Sequence, residues 1–231
     1  DFLGHGTHVA GIVAGKKNGP SDFNGVAPEA RLLDVKVLNA QGIGLESNIV
    51  AGINYAVDPD GNPGTQDGAH IINLSLGGPY TSPNSPVVMA VESAIAQGVV
   101  VVASSGNCGP DCPSIACNGF IGVEDPGTAS NALTVGAVND FGEYACFSSG
   151  GIVNGTMKPD VVAPGVSIIS SAPLASYEVK SGTSMSAPHV AGLAALVLEA
   201  NPGMSPSTLK YLFEQTADDF GVVGKDAQYG S

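Results

Sequence analysis

The 231 residues, 43% hydrophobic with a mean hydropathy of +0.21, suffice for one domain with a single buried core and exclude a disordered chain. The formal net charge of −13 comes from 8 Lys+Arg against 21 Asp+Glu, which argues against nucleic acid or an anionic membrane as partner, since both need clustered cations. No apolar run reaches the roughly 20 residues of a membrane helix, and 32 glycines without a Gly-x-y period read as tight turns rather than collagen.

Helical and β-rich patterns alternate along the chain, which predicts an α/β fold with a largely parallel sheet. His5–Ala14 reads as a short helix of small and apolar residues, and Ala30–Leu38 as a strand. Leu45–Val57 is a helix with Leu45, Ile49, Ile53 and Ala56 on one face. The stretch Asp58–Gly68 is a loop by composition. His70–Leu76 reads as a buried strand, Pro86–Gln97 as a helix stopped by Gly98, and Val99–Ser104 as a valine-rich strand. Ala132–Val138 and Val166–Ser171 are further strands. Ser184–Ala200 is apolar nearly all round and should run through the core. Ser205–Gln215 is a last helix with Pro206 in its first turn.

Three segments carry chemistry: Gly4-His5-Gly6-Thr7-His8-Val9-Ala10-Gly11, Ser105-Gly106-Asn107, and Gly182-Thr183-Ser184-Met185-Ser186-Ala187-Pro188-His189. Each sets a reactive or hydrogen-bonding side chain where a loop or strand meets a helix. There backbone N–H groups are unpaired and the dipole is positive. A serine so placed lies beside donors for an oxyanion. Pro188 is read as a first-turn proline whose missing N–H would be unpaired anyway. Gly182 permits close approach of a substrate. A serine hydroxyl needs a neutral imidazole to take its proton, so a Ser–His pair is the minimum engine of acyl transfer.

The His5 and Ser184 segments resemble the histidine and serine signatures of the subtilisin-like (subtilase) serine protease family. Similar matches run along almost the whole chain: Gly25-Val26-Ala27-Pro28, Val35-Lys36-Val37-Leu38, Asn73 to Gly78, Ser104 to Asn107, Leu133 to Ala137 and Lys158 to Gly165. The resemblance implies a three-layer α/β/α sandwich with a mostly parallel central sheet. Within it, the His and Ser helices would meet at the carboxyl ends of strands. It makes His5 the general base, Ser184 the nucleophile, and Asn107 the side-chain oxyanion donor beside the Ser184 N–H. Ser75, Leu76 and Gly77 match an edge that pairs with an extended polypeptide substrate. Ser104, Ser105 and Gly106 match a wall of the pocket for the residue before the cleaved bond. Glu124, two residues before Pro126-Gly127, falls near that pocket's base, where a carboxylate favours Lys or Arg.

The family's chain order is Asp, His, Ser, with the Asp roughly 30 residues before the His. Four residues precede His5, and Asp1 matches an aspartate of the His motif rather than the triad member. Neither Asp1 nor Asp34 is expected to substitute. The expectation is therefore a partial catalytic domain over 1–231, truncated at both ends, whose turnover falls by about four to five orders of magnitude without its triad carboxylate.

His8, His70 and His189 are read as packed histidines, since the His-Glu-x-x-His pattern is absent. Ser181 and Ser186 are read as structural, as is Asp160. No cofactor is required for the chemistry, although structural calcium in the full-length protein is compatible with the family. Asp58-Pro59-Asp60-Gly61-Asn62 fails as an EF-hand loop, with Pro63 and Ala69 where Gly and Glu are needed. Gly15–Asn24 reads as an exposed polar loop. Cys108, Cys112, Cys117 and Cys146 suggest disulfides and a secreted or extracytoplasmic protein. Of three pairings, Cys112–Cys117 is favoured, leaving Cys108 and Cys146. The resemblance further implies a propeptide in the precursor. The alternative to a peptidase is a non-catalytic subtilase-like binding or scaffold domain.

Overall fold

The computed structural model describes residues 3–19, 23–62, 64–65, 67–79, 84–112 and 114–231. Helix α1 (His5–Ala14) opens the chain, followed by α2 (Glu46–Val57), strand β1 (Ile71–Leu74), α3 (Pro86–Ala96) and β2 (Val100–Ser104). Then come β3 (Leu133–Val138), β4 (Gly151–Val153), β5 (Thr156–Lys158), β6 (Val161–Pro164), β7 (Ile168–Ala172) and β8 (Ser176–Lys180). Two helices, α4 (Thr183–Ala200) and α5 (Pro206–Thr216), close it. Ser85 and Ser205 cap α3 and α5 through their side chains, each with a proline in the first turn.

The central sheet has the order β1-β2-β3-β6, all parallel, with Val102 opposite Leu133 and Val135 opposite Val161. Alternation along β2 explains the layers. Val101 and Ala103 pack with Ile53, Ala56, Val88 and Val91 of α2 and α3. Val100 and Val102 pack on the opposite face with Ala187, Val190 and Ala191 of α4 and with Leu209 and Phe213 of α5. A strand buried on both faces loses its polar alternation and becomes a valine run, as expected of a parallel sheet between helices. This is the α/β/α sandwich.

Two expectations change. Ala30–Leu38 is not a strand: its alternating apolar residues enter no ladder, and Leu32 and Leu33 are exposed. Val166–Ser171 becomes β7 but stays out of the central sheet, pairing antiparallel with β8 (Ile168 opposite Lys180). A second antiparallel hairpin joins β4 and β5.

Candidate active site

Glycine in a left-handed conformation precedes both site helices: Gly4 (φ 74°) before α1 and Gly182 (φ 153°) before α4. The two helices lie side by side in the same direction. Val13, near the end of α1, has its carbonyl 3.4 Å from where a Cβ on Gly192 would sit. At the other end, Lys180 just ahead of α4 acts electrostatically on His5. His5 and Ser184 each stand eight positions before these contacts, so the register brings their helix starts to one end of the pair.

Histidine 8 anchors this arrangement. It is fully buried, and its Nε2 lies 3.1 Å from Ile168 O and 3.0 Å from Glu178 O, while Ser170 Oγ donates to His8 O at 2.8 Å. Gly11 lets α1 approach β7, since a Cβ there would sit 2.4 Å from Ser170 Oγ. The His5 imidazole lies below its ordinary pKa because of burial first, then Lys180 and His8, which favours the neutral ring a general base requires. Among the described residues no carboxylate acts on that ring. Asp34 is exposed, and Asp1 lies outside the described residues.

Pro188 has a different role from the one its sequence position suggests. Because α4 starts at Thr183, the missing Pro188 N–H would have bonded the Ser184 carbonyl, four residues back. That carbonyl accepts instead from Ser75 Oγ at 2.8 Å, and Ser184 Oγ donates to Ser75 O at 3.3 Å rather than to His5. Asn73 Nδ2 in turn donates to Ser75 Oγ at 3.0 Å. Ser184 is thus tied to the end of β1 by two hydrogen bonds.

Asn107 follows β2 on a turn opened by Gly106 (φ 108°). Its Oδ1 accepts from Thr183 N at 2.9 Å and from Thr183 Oγ1 at 3.2 Å, and Thr183 Oγ1 also accepts from Gly106 N at 3.2 Å. With Oδ1 occupied, the Nδ2 donor is the end of the amide that has no hydrogen-bond partner among the described residues. A Cβ built on Gly182 would lie 3.5 Å from Asn107 Oδ1, 3.6 Å from its Nδ2 and 3.8 Å from Ser184 N. Two donors therefore converge over a residue that has no side chain. Sequence reasoning gave Thr183 no role, although it stands inside the motif.

The remaining predicted substrate-binding residues flank this point. Ser75 is buried, Leu76 half-buried and Gly77 exposed, and the Leu76 and Gly77 main chain enters no hydrogen bond among the described residues. Ser104 and Ser105 are buried, with Ser104 Oγ donating to Leu74 O at 3.3 Å. Glu124 runs between the two segments: its N–H donates to Ser105 O at 2.9 Å, and its Oε2 accepts from Asn107 N at 2.9 Å.

The disulfides correct the expected pairing. Cys108 bonds Cys117 and Cys112 bonds Cys146, and no described cysteine is free. Residues 114–117 turn back through Ser114 N→Asn107 O (3.0 Å) and Cys117 N→Ser114 O (2.9 Å), which carries Cys117 to Cys108. Gly109 N→Phe147 O (2.8 Å) draws the Cys146 segment alongside Cys112. Both bridges brace the chain leaving Asn107.

His189 is held by Met185 O at 2.9 Å, whereas His70 is exposed rather than packed. Ser181 Oγ accepts from Ser167 N at 2.8 Å, and Ser186 Oγ is buried without a hydrogen-bond partner among the described residues. Asp160 is buried among three lysines: Lys158 at 2.7 Å, Lys210 at 3.0 Å and Lys225 at 2.9 Å. Asp58, Asp60 and Asp67 gather carboxylate oxygens within 4.8 Å of one another, although this loop lacks the EF-hand pattern. Asn62 N and Thr65 Oγ1 already donate to members of that group.

Comparison with known proteins bears on the whole chain. The profile of the Subtilase family matches residues 1–231. Subtilisin DY of Bacillus licheniformis is 42% identical over 221 residues, covering 96% of this chain and 73% of its own length. Subtilisin Savinase of Lederbergia lenta is 41% identical over 231 residues, covering 100% of this chain and 75% of its own. A crystal structure of a cold adapted subtilisin-like serine proteinase superposes with a TM-score of 0.78 at 31% identity, over 99% of this chain and 74% of that one. On these matches and this fold, the chain belongs to the subtilase family of serine proteases.

Proposed function

We propose that the protein is a serine endopeptidase that cleaves extended polypeptides through an acyl-enzyme on Ser184. His5 acts as general base: Ser184 Oγ attacks the scissile carbonyl carbon as its proton passes to the imidazole. The oxygen then takes the negative charge, stabilised by the Ser184 N–H and the Asn107 amide. The imidazolium returns the proton to the leaving amine as the C–N bond breaks. Water, deprotonated in turn by His5, releases the acid product. Leu76 and Gly77 offer main-chain groups to the substrate as an added strand, and Ser104–Gly106 line the adjoining pocket.

The observation that carries this reading is the convergence of Asn107 Nδ2 and Ser184 N at Gly182, both within 3.8 Å of one point beside the serine. Two disulfides support an oxidising, extracytoplasmic location, and a precursor with a propeptide belongs to the same proposal. The test is hydrolysis of a fluorogenic peptide by the full-length protein. Ser184→Ala and His5→Ala should each lower turnover by about six orders of magnitude, and the double variant no further, because the pair acts as a unit. Independent, additive losses would contradict the assignment.

A further inference from the structure

We propose that Glu124 is the specificity-determining residue of this site and selects a lysine or arginine side chain immediately before the cleaved bond. The inference rests on the peptidase reading above and names its substrate class.

Position comes first. Gly78 and Asp125 exchange two backbone hydrogen bonds, at 3.0 and 2.9 Å, while Glu124 N reaches Ser105 O. The Glu124 segment is therefore pinned on one side to the Ser75–Gly78 stretch and on the other to the Ser104–Asn107 turn. Both stretches present a glycine to it. A Cβ on Gly77 would lie 3.2 Å from Glu124 Cβ, and one on Gly106 would lie 2.3 Å from Glu124 Oε2. The carboxylate occupies the slot between these two glycines. It sits directly beneath Asn107, whose N–H it accepts at 2.9 Å and whose side-chain amide is the proposed oxyanion donor. A substrate whose scissile carbonyl meets Asn107 would send the preceding side chain into that slot.

Charge comes second. Glu124 is half-buried, and burial raises its pKa, opposed only by the Asn107 N–H. Among the described residues no cation acts on it. Lys16 pairs with Glu29, and Lys180 with Glu178, while Lys158, Lys210 and Lys225 all turn to Asp160. Glu124 Oε1 has no hydrogen-bond partner among the described residues. A half-desolvated carboxylate with one open oxygen is costly alone and favourable with a cation at hydrogen-bond distance. The acidic whole, at −13, draws cationic peptides toward it.

The alternative role, a simple brace for the Asn107 turn, separates cleanly by experiment. Glu124→Gln keeps an oxygen for the Asn107 N–H and removes only the charge. The full-length protein and this variant are assayed on two fluorogenic peptides differing only in the residue before the cleaved bond. That residue is arginine in one and citrulline, its uncharged near-isostere, in the other. The wild type is expected to favour arginine by about 10- to 100-fold in kcat/KM, the worth of a charge-assisted hydrogen bond, and Glu124→Gln to bring the ratio near one. Glu124→Lys should turn preference toward a glutamate peptide over its glutamine counterpart. An arginine-to-citrulline ratio unchanged in Glu124→Gln overturns the proposal, as does an equal loss on both peptides, which is what a brace alone would give. If the wild type cleaves neither peptide and no serine reacts with a fluorophosphonate, the peptidase reading itself fails.

Discussion

The Ser75 hydroxyl donates at 2.8 Å to the Ser184 carbonyl, the one group in the first turns of α4 that Pro188 deprives of its helical partner. A proline that would ordinarily cost a helix its hydrogen bond instead frees an acceptor for tying Ser184 to the end of β1. Ser75→Ala should therefore cost about 1–2 kcal/mol in denaturant unfolding, the penalty of an orphaned, half-buried carbonyl. Pro188→Ala restores an N–H at that position and should recover part of the loss in the double variant. A cycle with no coupling between the two positions would contradict this account.

Lys180 lowers the His5 pKa, behind burial and ahead of His8. A depressed pKa keeps the imidazole neutral, and so basic, to lower pH. Lys180→Met removes a repelling cation, so the pKa rises and the acid limb of kcat/KM moves to higher pH. Added salt should shift the wild-type limb the same way, through screening. A limb that moves to lower pH would rule the relationship out.

Asp160 is fully buried, and although burial raises its pKa, Lys158, Lys210 and Lys225 outweigh that and hold it at about 2. A carboxyl whose folded pKa is depressed contributes stability above its unfolded value and loses it as pH falls through the folded one. Thermal stability should thus fall progressively as pH drops from about 5 to about 2, the interval between the unfolded carboxylate value and the folded one. Asp160→Asn leaves Lys158 buried without its counter-charge and should cost about 3–5 kcal/mol. Calorimetry from pH 2 to 7 checks both.

The two disulfides close loops of unequal length, with separations of 9 and 34 residues. By loop entropy, losing Cys112–Cys146 as a serine pair should cost about 4 kcal/mol, and losing Cys108–Cys117 about 3 kcal/mol. Non-reducing peptide mapping should recover peptides linking 108 to 117 and 112 to 146. A peptide linking 112 to 117 would contradict the structure.

What the sequence disclosed was whatever local chemistry dictates. The helix that carries Ser184 was readable from its apolar run, β2 from its valines, and the first turn of α5 from Pro206. Long-range pairing was not readable. Ala30–Leu38 has a strand's alternation, but a strand exists only in a ladder, and none forms there. β8 went unseen because Ser176–Lys180 is short and exposed, and only Tyr177 and Val179 mark its alternation. Four cysteines allow three pairings, and only the turn at 114–117 decides among them. Thr183 stood within the quoted motif, yet its grip on Asn107 spans 76 positions and is visible only in three dimensions.

The central claim is that Ser184 is an activated nucleophile. Mass spectrometry of the full-length protein after reaction with a fluorophosphonate tests it most directly. A single adduct on the peptide carrying Ser184, lost in His5→Ala, is predicted. An unmodified Ser184, with intact protein by circular dichroism, would contradict it and leave a binding or scaffold domain in its place.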